Sequence, residues 1–294
     1  MSAEATAGPV PSGALDALRP GGPGAVTAVA CDLIWVEGPD AERFLQGTLT
    51  NDVAALGPGG ACEALLLDAK GRVRHGVIVH RDGADAFTLV AGAGRGEALT
   101  EDLEALHVAE DLEVFWDGGE MAVTNSPGPL GGDLEVPLRP AGLRGVVGVA
   151  PADAASALGV PLVPGDALEA LRVESGEPDP DRDATGRLVQ EAGLETAAVS
   201  FTKGCYLGQE TVARAAHRGG VRRRLAGLRL DGPVPVGTAV ALDGREVGRT
   251  GTCAVHPSLG PIALAVVRAE LADGTELAVA GRPGPAVLVP LPMA

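Results

Sequence analysis

Apolar and β-branched residues in the first third of the chain come in short runs that turn residues separate. These runs predict strands, which are expected at residues 26–36, 64–67, 73–80 and 87–91. A short helix is predicted between the first two strands, with Asp40 as its cap and Gly47 as its end. Leucines at helical spacing predict an amphipathic helix over residues 97–107.

Segments rich in glycine and proline divide the middle of the chain. Residues 125–145 are predicted to be a loop or a subdomain border, because Gly and Pro interrupt regular structure there. A helix is expected to begin at Asp166, with Glu169 as its capping-box partner, and to end at Gly176. The acidic stretch that follows, residues 178–186, is predicted to form a loop.

Short alternating segments and tight turns fill the last quarter of the chain. The pairs Asp243-Gly244 and Asp273-Gly274 are the strongest hairpin signals in the sequence. Strands are predicted at residues 225–230, 239–242, 262–268 and 277–280. This spacing is typical of a small antiparallel barrel or sandwich of about 75 residues.

Composition narrows the class of protein. A chain of 294 residues with 46% hydrophobic residues suits two or three packed units. Because there is no long apolar run and no secretion signal at the N-terminus, we expect a cytoplasmic protein with no membrane partner. The net charge of −16 repels phosphate backbones, so direct nucleic-acid binding is not expected.

Four cysteines lie far apart in the sequence, with no Cys-x-x-Cys pair among them. They are Cys31, Cys62, Cys205 and Cys253. Disulfides are not expected without an export signal. A local set of zinc or iron–sulfur ligands is also missing, so no metal site is predicted.

The segment around Cys205 carries the most chemistry. Glycines at 204 and 208 flank Cys205 and Tyr206 and allow a sharp turn, after which a helix is predicted to run to about residue 218. The helix N-terminus and the adjacent Lys203 would both stabilise a thiolate. Cys205 is therefore either a reactive or metal-binding thiol or, alternatively, a small buried residue in a tight turn.

Positive charge is concentrated just after this turn. Between Lys203 and Arg229, Glu210 is the single acidic residue, against Lys203 and six arginines. Such a patch suits an anionic partner, such as the glutamate tail of folate, a phosphate, an acidic protein face or RNA. The alternative is the polar face of a strand whose arginine stems cover apolar neighbours.

Residues 203–210, KGCYLGQE, resemble the signature K-G-C-Y-x-G-Q-E of the YgfZ family. The matching residues are Lys203, Gly204, Cys205, Tyr206, Gly208, Gln209 and Glu210. Three further segments resemble that family: FLQGTLTND at 44–52, LLLDAKGRV at 65–73 and LRVESGEP at 171–178. Residues 247–267 resemble the C-terminal barrel of the aminomethyltransferase superfamily. Together these segments span nearly the whole chain from about residue 25.

The resemblance implies an α+β, three-lobed, aminomethyltransferase-like fold with folate in a central funnel and a C-terminal antiparallel β-barrel. The expected parts are a disordered tail at 1–24, a two-lobed folate-binding region at 25–218 and the barrel at 219–294. Members of this family support iron–sulfur enzymes, including enzymes that thiolate tRNA. The implied cofactor is tetrahydrofolate or a one-carbon derivative, and the implied partners are iron–sulfur enzymes or assembly proteins.

Site residues carry over from the resemblance position by position. Cys205 is the expected reactive group, with Lys203 beside it in a catalytic role. Tyr206, Gln209 and Glu210, together with the two glycines of the signature, are expected to shape its surroundings. Arg214, four residues after Glu210, is predicted to bind the cofactor.

Glu174 is the second predicted cofactor-binding residue. It matches the glutamate that holds the pterin edge in the related aminomethyltransferase. It lies in the last turn of its predicted helix, where a carboxylate is unfavourable, so a ligand that donates N–H bonds would compensate. The alternative is a solvated glutamate at a frayed helix end.

The chain departs from the aminomethyltransferase pattern at the catalytic aspartate pair, where His75 and Gly76 stand. We therefore expect no aminomethyl transfer. His75 is a candidate acid or base, or else a strand residue with a satisfied hydrogen bond. A second departure concerns Cys31 and Leu168, which occupy positions where a bacterial relative carries tryptophans near folate.

Two other functions stay open at this point. One is a folate-dependent one-carbon transferase that uses a different base, which the missing aspartate pair disfavours. The other is a non-enzymatic RNA- or protein-binding module that uses the arginine run. The acidic net charge and the 2% aromatic content count against RNA, since few side chains are available to stack on bases.

Overall fold

The structure is a computed structural model that describes residues 10–11, 13–19, 22, 25–124, 134–138, 145–149 and 161–293. Its helices are α1 (Ala14–Leu18), α2 (Ala41–Thr48), α3 (Gly96–Glu104), α4 (Gly165–Ser175), α5 (Glu195–Ala198) and α6 (Gln209–Arg218). A π-helical turn, Pro180–Ala184, and a 3-10 turn, Val189–Glu191, lie between α4 and α5. No helix among the described residues is long and apolar enough to cross a membrane.

The N-terminal half is built on one antiparallel sheet of seven strands. They are β1 (Val26–Glu37), β2 (Ala61–Leu67), β3 (Val73–Arg81), β4 (Ala86–Gly92), β5 (Glu113–Thr124), β6 (Leu134–Leu138) and β7 (Gly145–Val149). Their order in the sheet is β2-β3-β4-β1-β5-β7-β6. The four strands predicted in the first third of the chain are confirmed, because runs of buried apolar residues separated by turns specify hairpins locally.

The two faces of this sheet bury different partners. Ile34 and Val36 of β1 pack in a core with the buried faces of α2 and α3. Cys31 and the half-buried Leu33, on the opposite face, join a core formed with α1 and α4. Because side chains alternate along a strand, β1 contributes to both cores at once.

The C-terminal quarter is a closed barrel of six strands. They are β8 (Arg223–Arg229), β9 (Ala239–Leu242), β10 (Arg245–His256), β11 (Gly260–Arg268), β12 (Glu276–Val279) and β13 (Pro285–Val289). The strands run in the order β10-β11-β8-β13-β12-β9, and β9 pairs with β10 to close the ring. Closure removes every sheet edge. The predicted α+β class with a C-terminal antiparallel barrel is therefore confirmed.

Several sequence predictions about the barrel need correction. Strands β10 and β13 were not predicted, because glycines interrupt the first and a proline opens the second. Asp243-Gly244 does form the predicted tight hairpin, with both residues at positive φ, between β9 and β10. Asp273-Gly274 instead lies in a connection between β11 and β12, which do not pair with each other.

The predicted helix ends also need correction. Gly47 lies inside α2 rather than at its end, and the Asp40 carboxylate binds Arg43 and the amide of Asp111 instead of capping the helix. Helix α4 begins at Gly165 with no side-chain cap, and Glu169 is engaged by two arginines. Gly176 ends α4 as predicted, with a φ of 82°.

Four regions differ in type or length from the prediction. Helix α3 ends at Glu104, three residues early. Within 125–145, residues 134–138 form strand β6, and most of the remaining predicted loop lies outside the described residues. Part of the acidic loop at 178–186 is the π-helical turn. The predicted disordered tail, 1–24, contains α1, which buries Leu15 and Leu18 in the α4 core.

Candidate functional site

Lys203 lies at the end of helix α2 and is almost fully engaged there. Its Nζ donates hydrogen bonds to the carbonyl oxygens of Gln46, Leu49 and Asn51 at 2.6, 2.7 and 2.8 Å. Carbonyl groups at a helix C-terminus lack intrahelical donors and carry partial negative charge, so a cation is favourable there. An ammonium has three donors, and all three are used.

Burial reinforces this structural role of Lys203. The residue is 9% exposed, and Nζ lies 5.2 Å from the centroid of the buried Tyr206 ring. Burial lowers the pKa of Lys203 to about 8, although Asp52 acts in the opposite direction. The amine predicted to be catalytic is thus held inside the protein as a clamp between the signature turn and α2.

Glycines let the signature turn approach the hairpin turn between β2 and β3. Gly208 has a φ of 80° and immediately precedes α6, and a Cβ there would lie 2.6 Å from the carbonyl oxygen of Asp68. At Gly71, with a φ of 75°, a Cβ would lie 2.8 Å from Cβ of Thr211. The three segments 44–52, 65–73 and 203–210, which carry the family resemblance, therefore meet at one place.

Cys205 stands at the surface of this assembly. It is exposed, whereas its neighbours Lys203 and Tyr206 are buried, so the interpretation of Cys205 as a small buried residue is wrong. Phe201, which sequence reasoning did not select, is also exposed on the same segment. None of the four cysteines, all of which lie in the described ranges, forms a disulfide.

The remaining polar residues of the signature lie on α6. Gln209 is its first residue, and Glu210 is exposed and forms an ion pair with Arg214 one turn later. Arg214 is 56% exposed at its side chain and does not line the cavity described next. Arg214 therefore lies on an exposed helix surface outside that cavity.

A cavity of about 670 Å³ lies between the β1–β4 part of the sheet, α4 and the segment that follows α4. Its apolar lining includes Ala30, Cys31, Ala64, Ile78, Val90, Leu168 and Leu194. The volume lies in the range of small-molecule and cofactor sites. The two positions at which a relative would carry tryptophan, Cys31 and Leu168, both face this space. Trp35, the tryptophan nearest to Cys31 in the sequence, stacks on Phe115 at 5.2 Å between ring centroids.

A network of four charged residues forms one wall of the cavity. Arg172 binds Glu169 at 3.1 Å and Asp179 at 3.5 Å, and Arg182 binds Asp179 at 3.0 Å and also pairs with Glu169. Burial acts to raise the pKa of Asp179, but Arg172 and Arg182 lower it overall. These four residues satisfy one another and make a rigid polar wall.

The structure explains the missing aspartate pair. Gly76 lines the cavity, and a Cβ at this position would lie 2.2 Å from Cβ of Pro180. A carboxylate cannot project from position 76 while Pro180 occupies that space. His75 is buried, with Nε2 2.8 Å from Asp102, and burial lowers its pKa. The bond to Asp102 makes His75 a strand residue with a satisfied hydrogen bond. His75 also lines a second cavity of about 430 Å³.

Glu174 is turned away from the cavity. Nη2 of Arg19 lies 2.7 and 2.6 Å from its two carboxylate oxygens, and His256 Nε2 lies 3.3 Å away. Backbone amides donate to His256 Nδ1, so the proton of this imidazole is on Nε2 and faces Glu174. The carboxylate, 16% exposed, joins α1, α4 and the barrel, so it is not a solvated residue at a frayed helix end.

No group of three or more His, Cys, Asp or Glu side chains among the described residues could hold a metal ion.

Two family models match the chain, one in each half. Residues 28–130 match the GCVT N-terminal domain, and residues 223–294 match the glycine cleavage T-protein C-terminal barrel domain. The solved glycine cleavage system aminomethyltransferase T from Bartonella henselae superimposes with a TM-score of 0.71. It is 24% identical and covers 92% of this chain and 86% of its own, so it establishes the fold alone.

Curated relatives narrow the assignment. An aminomethyltransferase from Rubrobacter xylanophilus is 31% identical over 87% of this chain and 78% of its own length. The mouse mitochondrial iron-sulfur cluster assembly factor IBA57 is 29% identical over 82% of this chain and 76% of its own. The tRNA-modifying protein YgfZ from Edwardsiella ictaluri is 31% identical over 66% and 67%. With its intact KGCYxGQE turn and its lost aspartate pair, the chain belongs to the YgfZ family of the glycine cleavage T-protein superfamily.

Proposed function

We propose that this protein is a folate-binding accessory factor that supports the assembly or repair of iron–sulfur proteins, tRNA-modifying enzymes included, through the thiol of Cys205. The observation that carries this proposal is the geometry of the signature turn. Lys203 and Tyr206 are buried as anchors, and they hold the thiol between them at the surface. A thiol on a rigid, exposed turn is accessible to a partner protein.

The names of the relatives support the iron–sulfur part of the proposal. Mouse IBA57 is named an iron-sulfur cluster assembly factor, and the Edwardsiella relative is named a tRNA-modifying protein. Since no metal-binding cluster of side chains is found in the described ranges, we propose that a cluster or sulfur atom is handled together with a partner. The cytoplasmic location stays a prediction.

The residues that line the 670 Å³ cavity support the folate part of the proposal. Apolar side chains, Cys31 and Leu168 among them, suit the faces of a pterin ring, and charged residues at one wall suit its polar edge. A further sign of fit is Asp181, whose Oδ1 is buried without a hydrogen-bond partner among the described residues. When bound, a tetrahydrofolate derivative would supply a one-carbon group. The residues of this chain would hold and shield it.

Two alternatives are less well supported. Aminomethyl or methyl transfer needs a base near the one-carbon unit, and Pro180 fills the space at position 76 from which the aspartate of the transferase would project. RNA binding through the arginine run is weakened because Arg224 already binds Asp273 at 2.9 Å and the carbonyl of Leu271. We therefore retain the accessory role as the primary proposal.

The test of the thiol is complementation in cells that lack their own copy of the gene. The wild-type protein and a Cys253→Ser control, altered at a half-buried barrel cysteine, should restore the activity of iron–sulfur enzymes. Cys205→Ser should fail while remaining as stable as the wild type, because the side chain is exposed. Full restoration by Cys205→Ser would refute the thiol role.

The test of the cavity is titration calorimetry of the purified protein with tetrahydrofolate and with 5-formyltetrahydrofolate. We expect micromolar binding. If neither ligand gave a heat of binding, folate binding would be refuted. The proposed function would then rest on Cys205 and its partners alone.

A further inference from the structure

The acidic residues around the large cavity differ in how well they are satisfied. Glu169 and Asp179 are paired with Arg172 and Arg182. Asp166 lies at the first turn of α4 and is half-buried. Asp181 is different, because its Oδ1 is the one buried side-chain oxygen without a hydrogen-bond partner among the described residues that line the cavity.

A fixed backbone holds Asp181 in place. The preceding Asp179 carboxylate accepts hydrogen bonds from the amides of Asp181 and Arg182 at 2.9 and 3.1 Å. The following Asp183 is buried and accepts from the amide and hydroxyl of Thr252 in the barrel, at 2.5 and 2.9 Å. The π-helical turn is therefore anchored on both sides of Asp181, so its carboxylate has little freedom to find another partner.

The surroundings of Asp181 leave one of its two carboxylate oxygens, Oδ1, without a hydrogen bond. Arg95 forms an ion pair with Asp181, with Nε 3.3 Å from Oδ1, but the two atoms are not aligned for a hydrogen bond. Nη2 of Arg95 donates a hydrogen bond to the carbonyl oxygen of Arg74 at 3.3 Å and lies 3.4 Å from His75 Nδ1. Gly92 leaves room on the other side, since a Cβ there would lie 3.1 Å from Oδ2. The side chain keeps 14% of its surface exposed where it lines the cavity.

We propose that Asp181 is the ligand-binding carboxylate of the cavity, which accepts the paired N–H donors at the edge of a pterin-type heterocycle. The two residues to which sequence comparison would give a carboxylate role do not present one to the cavity: position 76 is glycine, closed off by Pro180, and Glu174 is held by Arg19. Asp181 reaches the same cavity from the segment after α4. This inference rests on the proposed folate function and specifies which residue recognises the ligand.

The chemistry of the site favours a ring with two adjacent donors. A carboxylate accepts two parallel N–H bonds from a planar group, and such charge-assisted bonds are strong when water is excluded. The amino group and the neighbouring ring N–H of a reduced pterin present that arrangement. The apolar side chains of Cys31 and Leu168 line the same cavity and would cover the ring faces.

Protonation of Asp181 would compete with this ligand. Burial raises the pKa of Asp181, Arg95 lowers it and Asp179 raises it, with smaller effects from His75 and the Gly76 amide. Only the ionised carboxylate accepts both donors. As the pH falls through the raised pKa, protons displace the ligand, and affinity should fall by up to tenfold for each pH unit.

The experiment is calorimetric titration of the full-length protein with 5-formyltetrahydrofolate and with its 2-desamino analogue, between about pH 5 and pH 8. The variants are Asp181→Asn and, as a control at another cavity-lining carboxylate, Asp166→Asn. We expect Asp181→Asn to weaken 5-formyltetrahydrofolate binding by at least tenfold at pH 7.5 and to flatten the dependence of affinity on pH. Asp166→Asn should stay within about threefold of the wild type.

The ligand analogue gives a second measurement that does not depend on the folding of a variant. Loss of the amino group should weaken wild-type binding at least tenfold and leave the affinity of Asp181→Asn nearly unchanged, which would show that the two groups interact. Wild-type binding with no effect of either change would overturn the role of Asp181 and leave folate binding intact. No binding of either ligand by the wild-type protein would overturn both proposals.

Discussion

At the signature turn, the ammonium of Lys203 makes three hydrogen bonds of 2.6–2.8 Å to backbone carbonyls. At the cavity wall, the carboxylate of Asp181 faces an arginine at 3.3 Å and keeps a buried oxygen without a hydrogen bond. Both groups are largely buried, but the ammonium has a hydrogen-bond partner for each of its donors, whereas the carboxylate has an ion pair with Arg95 and one oxygen without a hydrogen bond. The signature turn is therefore built as a rigid support for Cys205, and the cavity wall retains capacity for a ligand.

The largest effect is expected when the fully hydrogen-bonded ammonium of Lys203 is removed. Lys203→Met would leave the carbonyls of Gln46, Leu49 and Asn51 without their shared donor in a buried setting. We expect a loss of about 4 kcal/mol in the free energy of unfolding, measured by urea denaturation. The control is Lys70→Met, at the chain's other lysine, which is exposed on the 68–71 turn and should change stability by less than about 0.5 kcal/mol. Equal effects of the two substitutions would mean that Lys203 is not a structural clamp.

The partners of Lys203 show where sequence reasoning reaches its limit. Glycines at 204 and 208 correctly predicted a sharp turn before a helix, because that requirement is local. The carbonyls that bind Nζ come from residues more than 150 positions earlier, and no local pattern encodes such a pairing. A lysine next to a cysteine therefore suggested catalysis, whereas the fold uses the lysine for support.

The same division between local and distant causes holds for the fold. The Asp243-Gly244 hairpin was predictable because both residues adopt a positive φ that favours Asp and Gly. Helix α1 was not, because a five-residue helix is stable only through burial of Leu15 and Leu18 against α4. The role of Asp181 could not be predicted, because the sequence shows only that it lies in an acidic run. The environment of its carboxylate is set by Gly92 and Arg95, which come from another part of the chain.

The next largest effect tests the closure of the cavity wall by Pro180. Gly76→Asp would place a Cβ 2.2 Å from that proline, so the segment after α4 would have to move. We expect a loss of about 2 kcal/mol in the free energy of unfolding. Gly83→Asp, where a Cβ meets nothing within 4 Å, should cost far less at the same added charge.

A compensating change sharpens the Gly76 result. The double variant Gly76→Asp/Pro180→Gly should recover part of the lost stability, because the side chain introduced at position 76 overlaps the ring of Pro180. No recovery would show that charge repulsion with the neighbouring carboxylates, rather than steric overlap, causes the loss.

The next largest effect is expected at Glu174. Its sequence position matches a pterin-binding glutamate, but in the structure its carboxylate binds Arg19 and lies next to His256. Glu174→Gln should lower the free energy of unfolding by about 1 kcal/mol, a figure that allows for the solvent exposure of Arg19. Affinity for 5-formyltetrahydrofolate should stay within about twofold of the wild type. A tenfold loss of affinity with unchanged stability would return the pterin role to Glu174.

The Glu174 effect should also depend on pH. Burial lowers the pKa of His256, and Glu174 acts to raise it again. Because the folded-state pKa lies below the ordinary histidine value, the unfolded chain binds the proton first as pH falls, and stability is lost with acidification. Without the carboxylate this loss should be larger, so the cost of Glu174→Gln in urea denaturation should grow between about pH 7 and pH 5.

The smallest effect is expected at Arg214, which lies on the exposed side of the signature helix and outside the cavity. Its ion pair with Glu210 is exposed at both side chains, so Arg214→Ala should change the free energy of unfolding by less than about 0.5 kcal/mol. Affinity for 5-formyltetrahydrofolate should be unchanged in the same protein.

Arg172→Ala, which removes a cation from the cavity wall, should weaken binding because Glu169 and Asp179 lose a shared partner and that wall loosens. If Arg214→Ala weakened binding and Arg172→Ala did not, the ligand would sit at the signature helix, and the cavity would have to be explained in another way.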